Sequence, residues 1–332
     1  MQQKATKREQ PYIVVIGAAN VDVIGFPRKP LTQKDSNLGH IRMTVGGVGR
    51  NIAENLARLG VAVKLITAVG DDNFGTKIID HCQEVKIDMT ESIIIKNTNS
   101  SAYLAIMDDK KDLALGVAEM EICSKLSPAF IGNKKEIVCK AALVILETNI
   151  PEKTLLRTVK DNPQQRFLLD TSSGDLSLRA KKILPYLYCL KTNLLEAKTL
   201  TGTDISGKKS LENAAFFFHK KGVKHVLITL GKNGVFFSSC THTDFFRTDG
   251  YLDEANIICG KYLPEKTKLI NSNGAGDAFM AGFAFGVFEN LQLDVSIKMG
   301  MALAKKSLEH VDAVNPEITA HFFERNSVRS DL

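Results

Sequence analysis

The segment Asn271-Ser272-Asn273-Gly274-Ala275-Gly276-Asp277 runs straight into the apolar stretch 278–288, and no other segment constrains the chain as strongly. Lys268-Leu269-Ile270 ahead of it reads as the end of a strand. Two glycines then leave backbone N–H groups uncovered where a helix begins. Such a helix start carries positive partial charge and draws phosphate or a developing anion. Asp277 in the first turn would repel a resting pyrophosphate, which argues against a dinucleotide-binding loop. A carboxylate makes chemical sense there if it takes a proton from a hydroxyl that attacks a phosphoryl group held by the neighbouring amides. The plain alternative is a glycine-rich loop with Asp277 as an ordinary helix cap.

A second glycine-rich helix start lies near the other end of the chain. Gly46-Gly47-Val48-Gly49-Arg50-Asn51 leads into 52–60, where Ile52, Ala53, Leu56 and Leu59 fit one helical face and Gly60 fits the stop. Before it, 12–17 reads as a short buried strand, with Asn20 and Asp22 just past its carboxyl end, where ligands gather in open α/β sheets. An ionised Asp22 can accept two hydrogen bonds and so hold a vicinal diol. It can equally organise a turn.

Strand and helix alternate along the chain. Strands are expected at 12–17, 62–69, 142–147, 166–170, 187–190, 225–230 and 234–238. Helices are expected at 49–59, 74–85, 152–160, 208–221, 276–289 and 293–309. The alternation predicts an α/β fold with a mostly parallel sheet covered by helices. Segments 35–45 and 92–117 break the pattern, and the second reads as a hairpin in which 93–95 and 102–107 flank polar residues. The chain has 332 residues, 44% of them hydrophobic, enough for a large core. The net charge of +6 is spread out, with no recognisable nucleic-acid module. Residues 1–10 read as a disordered polar tail without a secretory signal, and 11–325 as one domain. No apolar run is long enough to span a membrane. The six cysteines form no CxxC pair and sit mostly in apolar runs, which points to a reducing, cytoplasmic setting. Histidine spacing offers no zinc site.

Taken in order, these motifs resemble the PfkB-type ribokinase family: Asn20-Val-Asp22, Gly46-Gly47-x-Gly49-x-Asn51, Asn193-x-x-Glu196, Thr229-Leu-Gly231-x-x-Gly234 and Gly274-Ala-Gly276-Asp277. The resemblance runs from about Tyr12 to about Pro316. Within the family, Asp35-Ser36-Asn37-x-Gly39-x-Ile41 feeding into residues 46–53, Asn97-Thr98-x-Ser100-Ser101-x-Tyr103-Leu104 and Asn149-Ile150-x-Glu152 look like the pseudouridine kinases. The resemblance implies a three-layer α/β/α ribokinase-like fold with a small β lid formed by about 35–45 and 92–117. It implies Asp277 as base, with Gly274, Ala275 and Gly276 supplying anion-hole amides. It places Asn20, Asp22, Gly46, Gly47 and Asn51 on the ribose. Asn149, Ser101, Tyr103 and Glu119 are candidates for reading the base. Asn193, Thr229, Gly231, Gly234, Asn273, Ser307 and Asn315 are assigned to ATP, and Glu196 to Mg²⁺ through water. Asn193 and Glu196 also fit a capping box, a purely structural device. Asn51 can be a local cap, Lys232 a solvated turn residue, and 231–234 a plain hairpin turn.

The implied reaction is ATP-dependent phosphorylation of pseudouridine at the ribose 5′-hydroxyl. The alternatives are another ribokinase-type kinase acting on ribose or adenosine, and a non-catalytic ligand-binding protein on the same fold. Expected partners are a small nucleoside and ATP, without nucleic acid or membrane, in a homodimer paired through the lid. The implied cofactors are Mg²⁺ and a monovalent cation such as K⁺. The family commonly has Asp-Thr-Thr where this chain has Asn271-Ser272-Asn273, and a neutral Asn271 weakens the case for K⁺.

Overall fold

Strands that are apolar along their whole length belong in a sheet covered on both faces, whereas half-polar strands belong where one face meets water. The computed structural model, which describes residues 10–110, 112–240 and 256–325, contains both kinds. Apart from Gln10, the expected tail lies outside the described residues. In chain order the first strands are β1 (Tyr12–Ile16), β2 (Asn20–Pro27), β3 (Gly39–Gly46), β4 (Ala62–Ile66), β5 (Ala68–Gly70), β6 (Ile93–Ile95), β7 (Ala102–Met107) and β8 (Leu113–Glu119). They are followed by β9 (Leu143–Glu147), β10 (Phe167–Asp170), β11 (Leu187–Asn193), β12 (His225–Thr229), β13 (Val235–Cys240) and β14 (Ile257–Tyr262). The helices are α1 (Val48–Arg58), α2 (Asn73–Glu84), α3 (Pro128–Gly132), α4 (Lys135–Lys140), α5 (Glu152–Asp161) and α6 (Gly174–Ser177). After them come α7 (Leu194–Thr201), α8 (Lys208–Lys220), α9 (Ala275–Phe288), α10 (Leu293–Leu308) and α11 (Phe322–Arg325).

Eight strands form the central sheet in the order β14-β13-β12-β11-β10-β9-β1-β4. All its pairings from β4 to β12 are parallel, and β13 and β14 close one edge antiparallel. Side chains alternate across a strand. Ile13 and Val15 therefore join Ile52, Leu56, Met280, Phe283 and Leu303 of α1, α9 and α10 on one face. Val14 and Ile16 join Leu155, Val159, Leu200 and Phe218 of α5, α7 and α8 on the other. The result is a three-layer α/β/α fold with a mostly parallel sheet. Helix α9 is buried from Ala278 to Val287, as a helix apolar all round must be.

The lid is a separate four-stranded sheet, β3-β2-β7-β8. Two expectations need correcting here. Ile93–Ile95 does not form a hairpin with 102–107; it pairs parallel with β5, while β7 turns back onto β8. The intervening loop is pinned to the α2 start instead of turning tightly: Asp72 accepts from the N–H and hydroxyl of Ser100, and Asp71 from the N–H of Asn97. Residues 268–270 are not a strand either. They follow β14 in irregular chain, and the Ile270 N–H donates to the Leu308 carbonyl at the end of α10. Asp22 lies within β2, a strand where a turn was the competing reading.

Cross-strand neighbours share a face. The row Thr44–Asp22–Tyr103–Ala118 runs across one side of the lid. The opposite side carries Met43–Val23–Leu104–Val117 and Ile41–Gly25–Ile106–Leu115, of which Ile41, Met43, Leu104, Leu115 and Val117 are exposed.

Helices α9 and α10 meet through small residues. A Cβ on Gly282 would lie 2.5 Å from the Met299 carbonyl oxygen, a backbone atom that cannot swing aside. Gly282→Ala is expected to destabilise the protein by about 1–3 kcal/mol through overpacking. Thermal unfolding checks this, and an unchanged Tm would show that the two helices separate freely.

Candidate functional site

In an open parallel sheet, the crevice outside the carboxyl ends of the strands forms where the strand order reverses. Here the chain moves from β1 outward to β4, then returns to the other side of β1 for β9. Glu147, the last residue of β9, spans that crevice. It is fully buried, and it accepts the N–H of Ala18 at 2.6 Å, the N–H and side-chain amide of Asn149, and the Ser172 hydroxyl. Burial pushes its carboxyl upward, and these donors oppose the shift.

Gly47 opens α1 at φ 101, and an ideal Cβ there would meet the Ala18 carbonyl at 2.5 Å. Only glycine tolerates both conditions. The turn sets Asn51 in the first part of α1, where its Nδ2 donates to Asp277 Oδ2 at 2.7 Å. Asp22 approaches the same place from the lid. Asn20 Nδ2 donates to its Oδ1 at 2.6 Å, and the carboxylate lies over Gly46, filling the room a side chain there would take. Burial raises the Asp22 carboxyl above its usual range; Asn20, Arg50 and Arg42 act against this, while the charge of Asp277 adds to it.

The glycine-rich start of α9 has the expected form. Gly274 takes the left-handed conformation at φ 79, and no side chain caps α9. The first N–H groups of a helix have no intrahelical partner, so residues 274–276 present bare donors. Asp277 sits among them, its carboxyl pushed upward by the surrounding protein and pulled back by Lys191, Asn51 and Arg50. Asn271 donates to the Val311 carbonyl and accepts the N–H of Asn273, so both of its polar ends brace this loop. Asn273 itself is exposed.

Beneath the helix start lies a pair that the motifs did not reveal. Lys191 Nζ contacts both carboxylate oxygens of Asp170, at 2.7 and 3.0 Å, and both residues are buried. The same ammonium stands 2.9 Å from the place a Cβ on Gly276 would take. Burial raises the Asp170 carboxyl, and the charges of Asp170 and Asp277 hold the Lys191 ammonium above its ordinary value. Charged residues at the ends of apolar strands were the available signal for Glu147, Asp170 and Lys191.

Asn193 and Thr229 are register partners at the carboxyl ends of β11 and β12. The capping-box reading of Asn193 and Glu196 is realised in full. Glu196 Oε2 accepts from the Asn193 N–H, Thr171 and Thr192, and among the described residues Oε1 accepts only the Asn193 side-chain amide. Direct metal ligation does not fit so occupied a carboxylate, but Oε1 keeps capacity for a water. Gly231 and Gly234 flank a tight turn between β12 and β13, both at positive φ.

Five other expected site residues are held by protein partners or by their place in the lid. Ser307 and Asn315 are buried braces, bonded to the carbonyls of Ala313 and Lys306. Ala313 in turn packs on Gly274, so Ser307 supports the helix start from behind. Ser101 is buried beside Cys123, and Asn149 is engaged with Glu147 and Ser172. Tyr103 is the register partner of Asp22, and its ring covers Gly116. All six cysteines are free thiols, with Cys139 and Cys259 exposed. Among the described residues, no helix is long and apolar enough to cross a membrane, and no group of three or more His, Cys, Asp or Glu could hold a metal ion.

The arrangement joins a bare helix start, a carboxylate within it and a second carboxylate on a lid, which suits phosphoryl transfer to a hydroxyl. Comparison with known proteins agrees. The profile of pfkB family carbohydrate kinases matches residues 10–320. Pseudouridine kinase of Escherichia coli (strain K12) is 30% identical over 94% of this chain and 95% of its own length. Guanosine-inosine kinase of Exiguobacterium acetylicum is 24% identical over 88% of this chain and 92% of its own. The structure of Arabidopsis thaliana ribokinase complexed with ribose and ATP superposes with a TM-score of 0.79, at 21% identity, covering 97% of this chain and 98% of that one. The chain therefore belongs to the pfkB family of carbohydrate kinases.

Proposed function

We propose that this kinase transfers the γ-phosphoryl group of ATP to the ribose 5′-hydroxyl of pseudouridine. The observation that carries the kinase chemistry is Asp277 at the uncapped start of α9, held by Asn51 on one oxygen. The other oxygen, Oδ1, has no protein hydrogen bond among the described residues. In this reading Oδ1 takes the proton of the 5′-hydroxyl as its oxygen attacks the γ-phosphorus. The bond to the β-phosphate oxygen breaks and ADP leaves. The amides of 274–276 receive the developing charge without rearrangement, and the buried Lys191 adds positive charge beneath them. Asp22, pinned by Asn20, accepts the ribose diol, and Asn193, Thr229 and the 231–234 turn flank the nucleotide. When bound, Mg²⁺ neutralises charge on the phosphates; Glu196 suits it through water, since its Oε1 can accept one more hydrogen bond.

Pseudouridine is favoured over other acceptors by the relative at 30% identity and by the lid sequences around Asn37 and Ser101. We read residues 11–325 as one catalytic unit working in the cytoplasm, and the exposed apolar side of the lid as the face of a homodimer. Sedimentation across a dilution series checks the dimer. Replacing Leu104 and Val117 by Ser should leave monomers at concentrations where the wild type is paired; a wild type that is always monomeric contradicts it.

A nucleoside panel with ATP and Mg²⁺ tests the substrate. Pseudouridine should exceed uridine, adenosine and free ribose in kcat/KM, because a site built around the extra ring N–H leaves its own acceptor unpaired without it, an effect that can reach about 10⁴. Equal or better use of free ribose would remove pseudouridine and leave only a sugar kinase.

Asp277→Asn should cut turnover by roughly 10²–10⁴ with nucleoside affinity nearly unchanged. Because the base must be ionised and its pKa is raised, the acid limb of kcat/KM should lie above the ordinary carboxylate range. Lys191 favours the ionised form, so removing it raises the Asp277 pKa further. The double variant Asp170→Asn/Lys191→Met, which leaves no buried carboxylate unpaired, should move that limb to higher pH. An unmoved limb, or near-normal turnover in Asp277→Asn, would remove Asp277 as the base.

A further inference from the structure

Arg50 lies inside the second glycine-rich motif, but neither the sugar nor the nucleotide reading gives it a task. It is 2% exposed, and a buried guanidinium is tolerated only when its donors are matched. Helical side chains lean towards the helix N-terminus. Arg50 accordingly reaches back over the start of α1, donating from Nε to the Gly46 carbonyl at 3.2 Å and from Nη2 to the Val45 carbonyl. Both acceptors belong to the end of lid strand β3. Nη1 meets Glu54, itself held by Arg58 at 2.8 Å and His81 at 3.0 Å. The remaining contact is the informative one: Nη2 also donates to Oδ1 of Asn51.

A side-chain amide has one accepting end and one donating end. A guanidinium only donates, and a carboxylate only accepts. Asn51 stands between the two, with Oδ1 on Arg50 and Nδ2 on Asp277. Its backbone is fixed as well, through its N–H to the Gly47 carbonyl and its own carbonyl to Asn55. We infer that Arg50 is a positioning residue for the reaction: it fixes the Asn51 amide so that the donating end faces Asp277, and it ties that amide to the root of the lid. The inference rests on the reading of Asp277 as the base. A neighbouring Asn in a helix does not face the residue before it, so this contact exists only because the guanidinium folds back across the helix start. Without it, the amide can turn over, and Asp277 loses the hydrogen bond that holds Oδ2 and leaves Oδ1 for the hydroxyl.

A double-mutant cycle on the full chain tests this. Arg50→Lys keeps the charge and most of the stem but lacks the fork, and serves even if Arg50→Met fails to fold. With the best nucleoside of the panel, Arg50→Lys should lower kcat by about 10- to 100-fold, the scale of a misplaced catalytic group, while the KM for ATP holds. In an Asn51→Ala background the same change should cost almost nothing further. A kcat penalty that persists undiminished in that background would show that Arg50 acts independently of Asn51 and overturn the inference. So would a variant that loses only Tm and keeps kcat, the result of a plain structural brace. Failure of the base assignment is separate: it would show as turnover retained in Asp277→Asn, whatever the outcome of the cycle.

Discussion

A carboxylate and an anion-binding helix start share one corner of this protein, and the surrounding structure accommodates that conflict. Left alone, Asp277 among bare N–H groups would either repel an incoming phosphate or pick up a proton in its partly dry surroundings. Three groups keep it ionised and aimed. Asn51 donates to one oxygen, Lys191 supplies charge from below, and Arg50 adds charge from α1. Asn51 and Arg50 stand on α1, Lys191 on β11 and Asp277 on α9, so the site exists only when these three elements are assembled. The Asp170–Lys191 pair is itself a buried ion pair, an arrangement that seldom gains net stability over apolar packing. Its retention at the sheet end is better understood through the charge it places beneath the helix start.

The sheet supplies the rigidity. Strands β1, β9, β10, β11 and β12 all point their carboxyl ends at the crevice, and each ends in a polar residue or is followed by one: Asn20 after β1, Glu147, Asp170, Asn193, Thr229. Apolar residues within the strands bury on both faces, while the terminal polar residues meet one another. Glu147 joins the loop after β1 to the loop after β9, closing the point at which the strand order reverses. The lid stands on this base through Gly46 and Val45, the carbonyls that Arg50 holds.

The strongly periodic elements were legible in the sequence. β1, β9, β10, β12 and the helices α1, α2, α5, α8, α9 and α10 fall within a residue or two of expectation, because burial on a period of two or 3.6 leaves a plain trace, whereas the single strand expected at 62–69 divides into β4 and β5 in different sheets. The lid was harder. β2 reads Asn-Val-Asp-Val-Ile-Gly-Phe-Pro, in which Asn, Gly and Pro look like turn residues, and its parallel partner β7 is distant in sequence. The pairing of β5 with β6 is parallel, so no tight turn marks it. At the site, glycine motifs pointed to Asn51 and Asp277, and the carboxyl end of the first strand pointed to Asp22. Glu147, Asp170 and Lys191 escaped because an acid or a lysine at the end of an apolar run carries no spacing rule. Ser307 and Asn315 carry polar groups that the fold spends internally on the Ala313 and Lys306 carbonyls, a distinction visible only in three dimensions.

The closeness of Lys191 to Gly276 has a consequence for how such a chain can change over generations. A methyl group at residue 276 would stand 2.9 Å from the Lys191 ammonium, so the lysine head must shift to admit it. The two positions are therefore linked: alanine at 276 asks the side chain at 191 to move off its place, and loss of the lysine removes that demand. Substitution at 170 joins the same trade, since its carboxylate is matched to that ammonium. Three residues far apart in sequence would then drift together, coupled by steric and charge compatibility at a single point beneath the helix start.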